Sequence, residues 1–185
     1  VGRDLLWRSK IPLAVPYLVK IIEDPNTKLD TLPRYFRALD FITGKEKNTA
    51  VAELALMREP GNKKRETYVI AEAISRIPAN VVMKDTKYQQ ALKQVIDSSR
   101  GTPEFTKLVE KFKASDYYPA LVALASQSGK SQTAVDAMSA ALALKLNGLI
   151  RKSLKDKADT EKEQNQKLDL IWALGSSGHN GANGI

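Results

Sequence analysis

The chain has 185 residues, 43% of them hydrophobic, with 29 basic and 21 acidic side chains and a formal charge of +8. That is enough apolar material for a substantial core. There is no cysteine, which excludes disulfides, zinc–thiolate sites, thioester chemistry and covalent haem attachment within these residues.

The positive charge points toward an anionic partner such as nucleic acid or an acidic protein surface. Its distribution points the other way. Lys63-Lys64-Arg65 and the group Arg151, Lys152, Lys155 and Lys157 are interleaved with acids at expected helix ends, where they read as solvated helix surface that complements the dipole. No apolar run approaches the ~20 residues of a membrane span. The chain opens at Val1 without an initiator methionine or a basic-then-apolar leader, so it reads as a piece of a longer protein.

Residues 4–9 resemble the second helix of a preceding unit, with Trp7 covering its apolar end. Ala14, Val15, Leu18, Ile21 and Ile22 then recur at helical steps until Asp24-Pro25-Asn26 stops the helix,. Leu32, Tyr35, Phe36, Leu39 and Ile42 form the next stripe, with Gly44 expected as a left-handed C-cap,. Neither helix can bury its stripe alone, so the two form a pair. Thr49 to Met57 begins a second pair, the turn Glu59-Pro60-Gly61-Asn62 follows, and a partner helix runs from about Lys64 to Ile77 before Pro78,.

The third pair uses Tyr88, Ala91, Leu92, Val95 and Ile96, then restarts at Thr102-Pro103-Glu104, threonine as N-cap and proline in the first turn, with Phe105, Leu108, Val109 and Phe112 on one face,. Tyr118-Pro119-Ala120-Leu121-Val122 opens the fourth and echoes Val15-Pro16-Tyr17-Leu18-Val19. Its second helix, Ser131 to Leu146, is rich in alanine around Val135, Met138 and Leu142 and is expected to sit centrally with close neighbours. A fifth pair runs through Leu149, Ile150 and Leu154, then through a Thr160/Glu163 capping box into Leu168, Ile171, Trp172 and Gly175,.

Unit starts near Ala14, Thr49, Tyr88, Tyr118 and Gly148 are unevenly spaced, which favours a HEAT-like array over the near-constant ~34 residues of tetratricopeptide units. The expected fold is all-α: one domain over residues 1–185, a right-handed α-α superhelix of HEAT or armadillo type with about five helix pairs, ending in a loop or frayed tail over 175–185.

Chemistry is sparse. His179 is the only histidine and lies in the glycine-rich tail, so no catalytic triad is available and a rigidly held base is not expected there. Gly175, Gly178, Gly181 and Gly184 follow a helix and no strand, the wrong setting for a dinucleotide fingerprint. Asp156, Asp159, Glu161 and Glu163 cluster at a helix start, where capping explains them. Asp40 three residues after Arg37 reads as a routine helical pair.

The segment Leu6-Trp7-Arg8-Ser9-Lys10 through Ala14-Val15-Pro16, Ile21-Ile22-Glu23-Asp24-Pro25 and Arg34-Tyr35-Phe36-Arg37-Ala38-Leu39-Asp40-Phe41 resembles the HEAT-like region of large secreted bacterial multidomain proteins. In that family the helical array joins a β-propeller resembling sugar dehydrogenases to a c-type cytochrome. The resemblance covers mainly residues 5–57, and the chain has neither a haem motif nor a strand-rich propeller segment. It implies an exported, periplasmic or extracellular parent protein in which redox chemistry belongs to other modules and this piece is a non-catalytic scaffold.

The expected function is therefore contact with a protein or with flanking domains. No catalytic, cofactor-binding or metal-ligating residue and no cofactor is expected. Arg34, Arg37 and Phe41, opposite the buried stripe of their helix, are the candidate partner-binding residues. The alternative is a basic HEAT-like solenoid binding nucleic acid, in its most specific form a DNA glycosylase.

Overall fold

The computed structural model describes residues 11–156 and 158–178. The 4–9 segment with Trp7, Lys157 and His179 lie outside the described residues. The described residues are all-helical, without strands, and the chain divides into two compact units, Val1–Ser98 and Ser99–Ile185.

The first unit holds α1 (Val15–Glu23), α2 (Leu32–Asp40), α3 (Lys45–Leu54), α4 (Lys63–Ile74), the single turn α5 (Ala79–Val82) and α6 (Thr86–Ser98). Short 3-10 turns at Pro12–Ala14 and Leu29–Thr31 lead into α1 and α2. Helix α1 packs on α2 and α3, α4 on α2, α3 and α6, and α5 on α6. The apolar stripes supply the cement: Val15, Leu18 and Ile22 of α1 and Leu32, Tyr35, Phe36 and Leu39 of α2 are buried, as is Ile42. Each fully buried Leu or Ile contributes about 1.5–3 kcal/mol.

The second unit holds α7 (Pro103–Phe112), α8 (Tyr118–Gln127), α9 (Gln132–Ala143), α10 (Asn147–Lys155) and α11 (Glu161–Ser176). The alanine-rich α9 lies against α7, α8 and α11, with Ala134, Ala137, Ala140 and Ala141 buried. Side chains this small let three neighbours approach, which is the central position expected of it. The stripe Phe105, Leu108, Val109 and Phe112 is buried as its spacing predicts.

Helix ends follow the local chemistry, sometimes not as expected. Proline at the first or second position opens α1, α2, α7 and α8, where its missing N–H costs nothing. Thr102 precedes α7, but its hydroxyl donates to Ser99 O at 2.8 Å and does not cap the helix. Gly44 is not the C-cap of α2. It has φ 122° and ψ 174° and precedes α3 as its N-cap, a conformation essentially reserved for glycine.

Helix α3 accordingly starts at Lys45 rather than Thr49, its first turn being too polar to register as a stripe. Helix α9 stops at Ala143, short of Leu146, because Lys145 turns left-handed at φ 59° and Leu146 N–H donates back to Ala141 O at 2.9 Å. Lysine performs the turn that glycine usually marks.

The capping box of α11 is formed: Thr160 Oγ1 accepts from Glu163 N–H at 3.2 Å, and Glu163 Oε2 accepts from Thr160 N–H at 2.9 Å. The N–H of Thr160, with its hydroxyl and then the N–H of Asp159, holds the Glu163 carboxyl below its ordinary pKa. The buried face of α11 is Leu170 and Ala173, whereas Leu168 and Ile171 are 60% and 54% exposed. This helix carries apolar residues on more than one side, and packing against α8, α9 and α10 selects the inner one. It also runs through Gly175 and Ser176, two residues into the stretch expected to be tail.

In the cluster Lys63-Lys64-Arg65, read as solvated surface, the two lysines are exposed but the arginine is structural. Arg65 is only 2% exposed. Its Nη2 donates to Ile22 O and, at 2.8 Å, to Asp24 O, while Nη1 meets the Glu59 carboxylate at 2.5 Å. A guanidinium thus bonds carbonyls where α1 ends, one of which, Asp24 O, also accepts from Thr27 N–H,. Next to it the buried Glu66 accepts from Glu59 N–H and from Lys63 Nζ, both at 2.9 Å. Burial, the largest single influence, raises the Glu66 pKa. The Glu59 N–H, the bond and charge of Lys63 and the charge of Arg58 together outweigh it, and the carboxyl titrates below its ordinary 4.5.

A carboxyl lowered on folding stabilises fully above its unfolded pKa and loses that contribution as pH falls through the folded value. Glu66→Gln should cost about 1–2 kcal/mol at neutral pH. The gap from the unsubstituted protein should close between about pH 5 and pH 3 in urea denaturation, since only the latter has this carboxylate to protonate.

Candidate interaction surface on α2

Helix α2 has two unlike sides. Inward, Leu32, Tyr35, Phe36, Ala38 and Leu39 are buried. The Phe36 ring meets Tyr68 of α4 edge-on, with centroids 6.5 Å apart and planes at 71°. The Arg76 guanidinium lies 5.0 Å from the Phe36 centroid.

The same guanidinium forks onto the end of α2. Its Nε donates to Asp40 Oδ1 at 2.8 Å and Nη2 to Asp40 Oδ2 at 3.0 Å, while Nη1 reaches the Glu72 carboxylate and the Glu72 carbonyl, both at 2.7 Å. A bidentate arginine–carboxylate pair fixes orientation as well as distance. Partial burial of Arg76 opposes its charge, but the bonds and charges of Asp40 and Glu72 prevail and raise its pKa above the ordinary arginine value.

Outward, Arg34 and Arg37 are exposed and Phe41, at the C-cap of α2, is 51% exposed. The structure thus brings the three candidate residues to the solvent side of one short helix. The helical pair expected between Arg37 and Asp40 is not formed. Both Asp40 oxygens belong to Arg76, thirty-six residues downstream, because a planar fork from the turn after α4 satisfies the carboxylate better than a flexible side chain three residues back.

Chemistry of other kinds is thin here. Among the described residues no group of three or more His, Cys, Asp or Glu side chains is placed to hold a metal ion, and no helix is long and apolar enough to cross a membrane.

Sequence reasoning found the outer residues because a helical projection of α2 suffices for them. It missed Arg76 and Asp40 as partners. The only local hint is an arginine just beyond the end of α4, before Pro78, and its contact is made across the fold. Comparison with protein-family models, with curated proteins and with solved structures gives no match to this chain.

Arg76→Ala removes the fork, the carbonyl bond and the ring contact together, and should lower the stability of this unit by about 2 kcal/mol. Arg76→Lys should recover less than half of that loss in urea denaturation, since an ammonium cannot engage both Asp40 oxygens and cover Phe36 at once.

Proposed function

We propose that this chain is a non-catalytic helical-repeat scaffold of HEAT-like type, a right-handed superhelix of helix pairs, that holds a protein partner or flanking domains within a larger exported, redox-associated bacterial protein. The reading draws on the helix-on-helix packing within each unit and on the family resemblance of residues 5–57. The observation that carries it is the outer side of α2. Two arginines and a half-exposed aromatic stand on a helix whose other side is buried and forked to Arg76. Arginine and aromatic side chains are the residue types that dominate binding energy at protein interfaces, and a helix fixed in advance loses little freedom when a partner docks.

Exposed apolar side chains support the same reading: Ile11, Leu13 and Tyr17 lie on and just before α1, and Leu168 and Ile171 lie on α11. Charge gives the nucleic-acid alternative less support than composition alone, because Arg65 is buried and Lys63 is paired with Glu66.

Arg34→Glu combined with Arg37→Glu tests the proposal. Exposed substitutions of this kind should leave stability within about 0.5 kcal/mol. Association with the flanking modules supplied in trans should fall by at least about tenfold, measured by titration calorimetry. Full association, or unfolding several degrees earlier, would show that these arginines serve the fold.

A further inference from the structure

An asparagine side chain is open to attack by the main-chain nitrogen of the residue that follows it. The reaction needs that nitrogen unbonded and uncrowded, the side-chain amide unbonded, and a backbone able to open. Glycine after the asparagine meets the steric condition, having no side chain beside the nitrogen.

The described residues hold asparagines at 26, 48, 62, 80, 147 and 165, and the fold protects all but Asn147. Asn26 donates its side-chain amide to Asp24 Oδ1 at 3.1 Å, and the N–H of Thr27 after it donates to Asp24 O at 2.9 Å. Asn62 is the N-cap of α4, its Oδ1 accepting from Arg65 N–H at 3.2 Å. After Asn80, the N–H of Val81 donates to Pro78 O at 2.9 Å. Asn48 and Asn165 stand inside α3 and α11, where the N–H of the next residue is bonded one turn back. None of these asparagines precedes a glycine.

Asn147 differs on every count. It is the first residue of α10, and Gly148 is the second. The N–H of Gly148 belongs to the first turn, which has no partner within the helix, and no side chain caps it. Among the described residues neither this N–H nor the Asn147 side chain is hydrogen-bonded. Gly148 is exposed, and a Cβ at this position would meet nothing within 4 Å, so water and hydroxide reach the nitrogen. Opening the first turn costs little, because the ends of elements lie at the low end of local stability.

We propose that Asn147 is a site of spontaneous deamidation in the folded protein. Hydroxide takes the proton of Gly148 N–H, and the nitrogen attacks Asn147 Cγ. The new N–Cγ bond closes a cyclic imide while Nδ2, protonated by water, leaves as ammonia. Water then opens the ring. Cleavage of the N–Cγ bond leaves aspartate, and cleavage of the bond from the nitrogen to the main-chain carbonyl carbon leaves isoaspartate. The net change is amide plus water to carboxylic acid plus ammonia, with no change of oxidation state.

The two products act differently on α10. Aspartate puts a negative charge at a helix start, where the dipole favours one. Isoaspartate adds a carbon to the main chain between Leu146 and Ile150, both buried, and disturbs the register of α10 on α8, against which it packs.

The experiment keeps the whole folded chain in mildly alkaline buffer and follows it by trypsin digestion at slightly acidic pH and mass spectrometry. Trypsin cuts after Lys145 and Arg151, so the site is read on the peptide 146–151. That peptide should gain the mass of an amide-to-acid change and split into two chromatographic peaks. The peptides holding Asn26, Asn48, Asn62, Asn80 and Asn165 should change at least about tenfold more slowly. Asn180-Gly181 and Asn183-Gly184 lie outside the described residues and fall on a different peptide.

Gly148→Ala, at a position with room for the methyl group, should slow the reaction at Asn147 at least about tenfold. A rate at Asn147 no faster than at the other asparagines, or an unchanged rate in Gly148→Ala, would overturn the inference. So would a rate in the folded chain more than about a hundredfold below that of the same peptide in the urea-unfolded chain, since the start of α10 would then protect its amide as the rest of the fold does.

Discussion

The first unit depends on one buried charge. Taking a guanidinium out of water costs several kcal/mol unless its donors are met, so the fold must bring acceptors to Arg65, and it does so for Nη1 and Nη2 while the buried Nε has none. They come from places far apart in sequence: the carbonyls of Ile22 and Asp24 at the end of α1, and the Glu59 carboxylate ahead of α4. Meeting them fixes where α1 stops and where α4 starts. Helix α2, which packs on both, has its place set by the same requirement. The Asp40–Arg76 fork then fixes its far end. Arg65 and Arg76 thus reach into the unit to bond carbonyls and carboxylates, whereas Arg34 and Arg37 are exposed.

The second unit solves the packing problem by other means. Its centre is α9, with alanines that admit neighbours closely. Aromatic contacts take the part that ions play in the first unit: Phe105 meets Tyr117 edge-on at 6.3 Å, and the Arg100 guanidinium lies 5.4 Å from the Tyr117 centroid. Edge-on aromatic pairs contribute about 0.5–1.5 kcal/mol beyond the area they bury.

Periodicity made much of this legible. The stripes of α1, α2 and α7 are the buried faces, and the capping box at Thr160 is formed, because such features need only residues a few positions apart. What was not legible depends on distance or on unusual backbone. Lys145 ends α9 in a left-handed turn, and Gly44 opens a helix where a C-cap was expected, since composition does not say which helix a glycine serves. On α11 two apolar sides compete, and only its neighbours decide between Leu168 with Ile171 and Leu170 with Ala173. The exposure of Arg34, Arg37 and Phe41 follows from a projection of one helix. Burial of Arg65 does not, because it needs carbonyls more than forty residues upstream.

Native-state hydrogen exchange in an Arg65→Met variant tests the clamp most directly. Methionine keeps apolar bulk at the site but offers no donor to Ile22 O and Asp24 O. The amides of Asp24 and Thr27, which bond back to Lys20 O and Asp24 O, should then exchange at least about tenfold faster through local opening of the α1 end, while those of α6 keep their rates. Unchanged exchange at Asp24 and Thr27 in a folded variant would contradict the account, since the end of α1 would then be held by the packing of α1 on α2 and α3 alone.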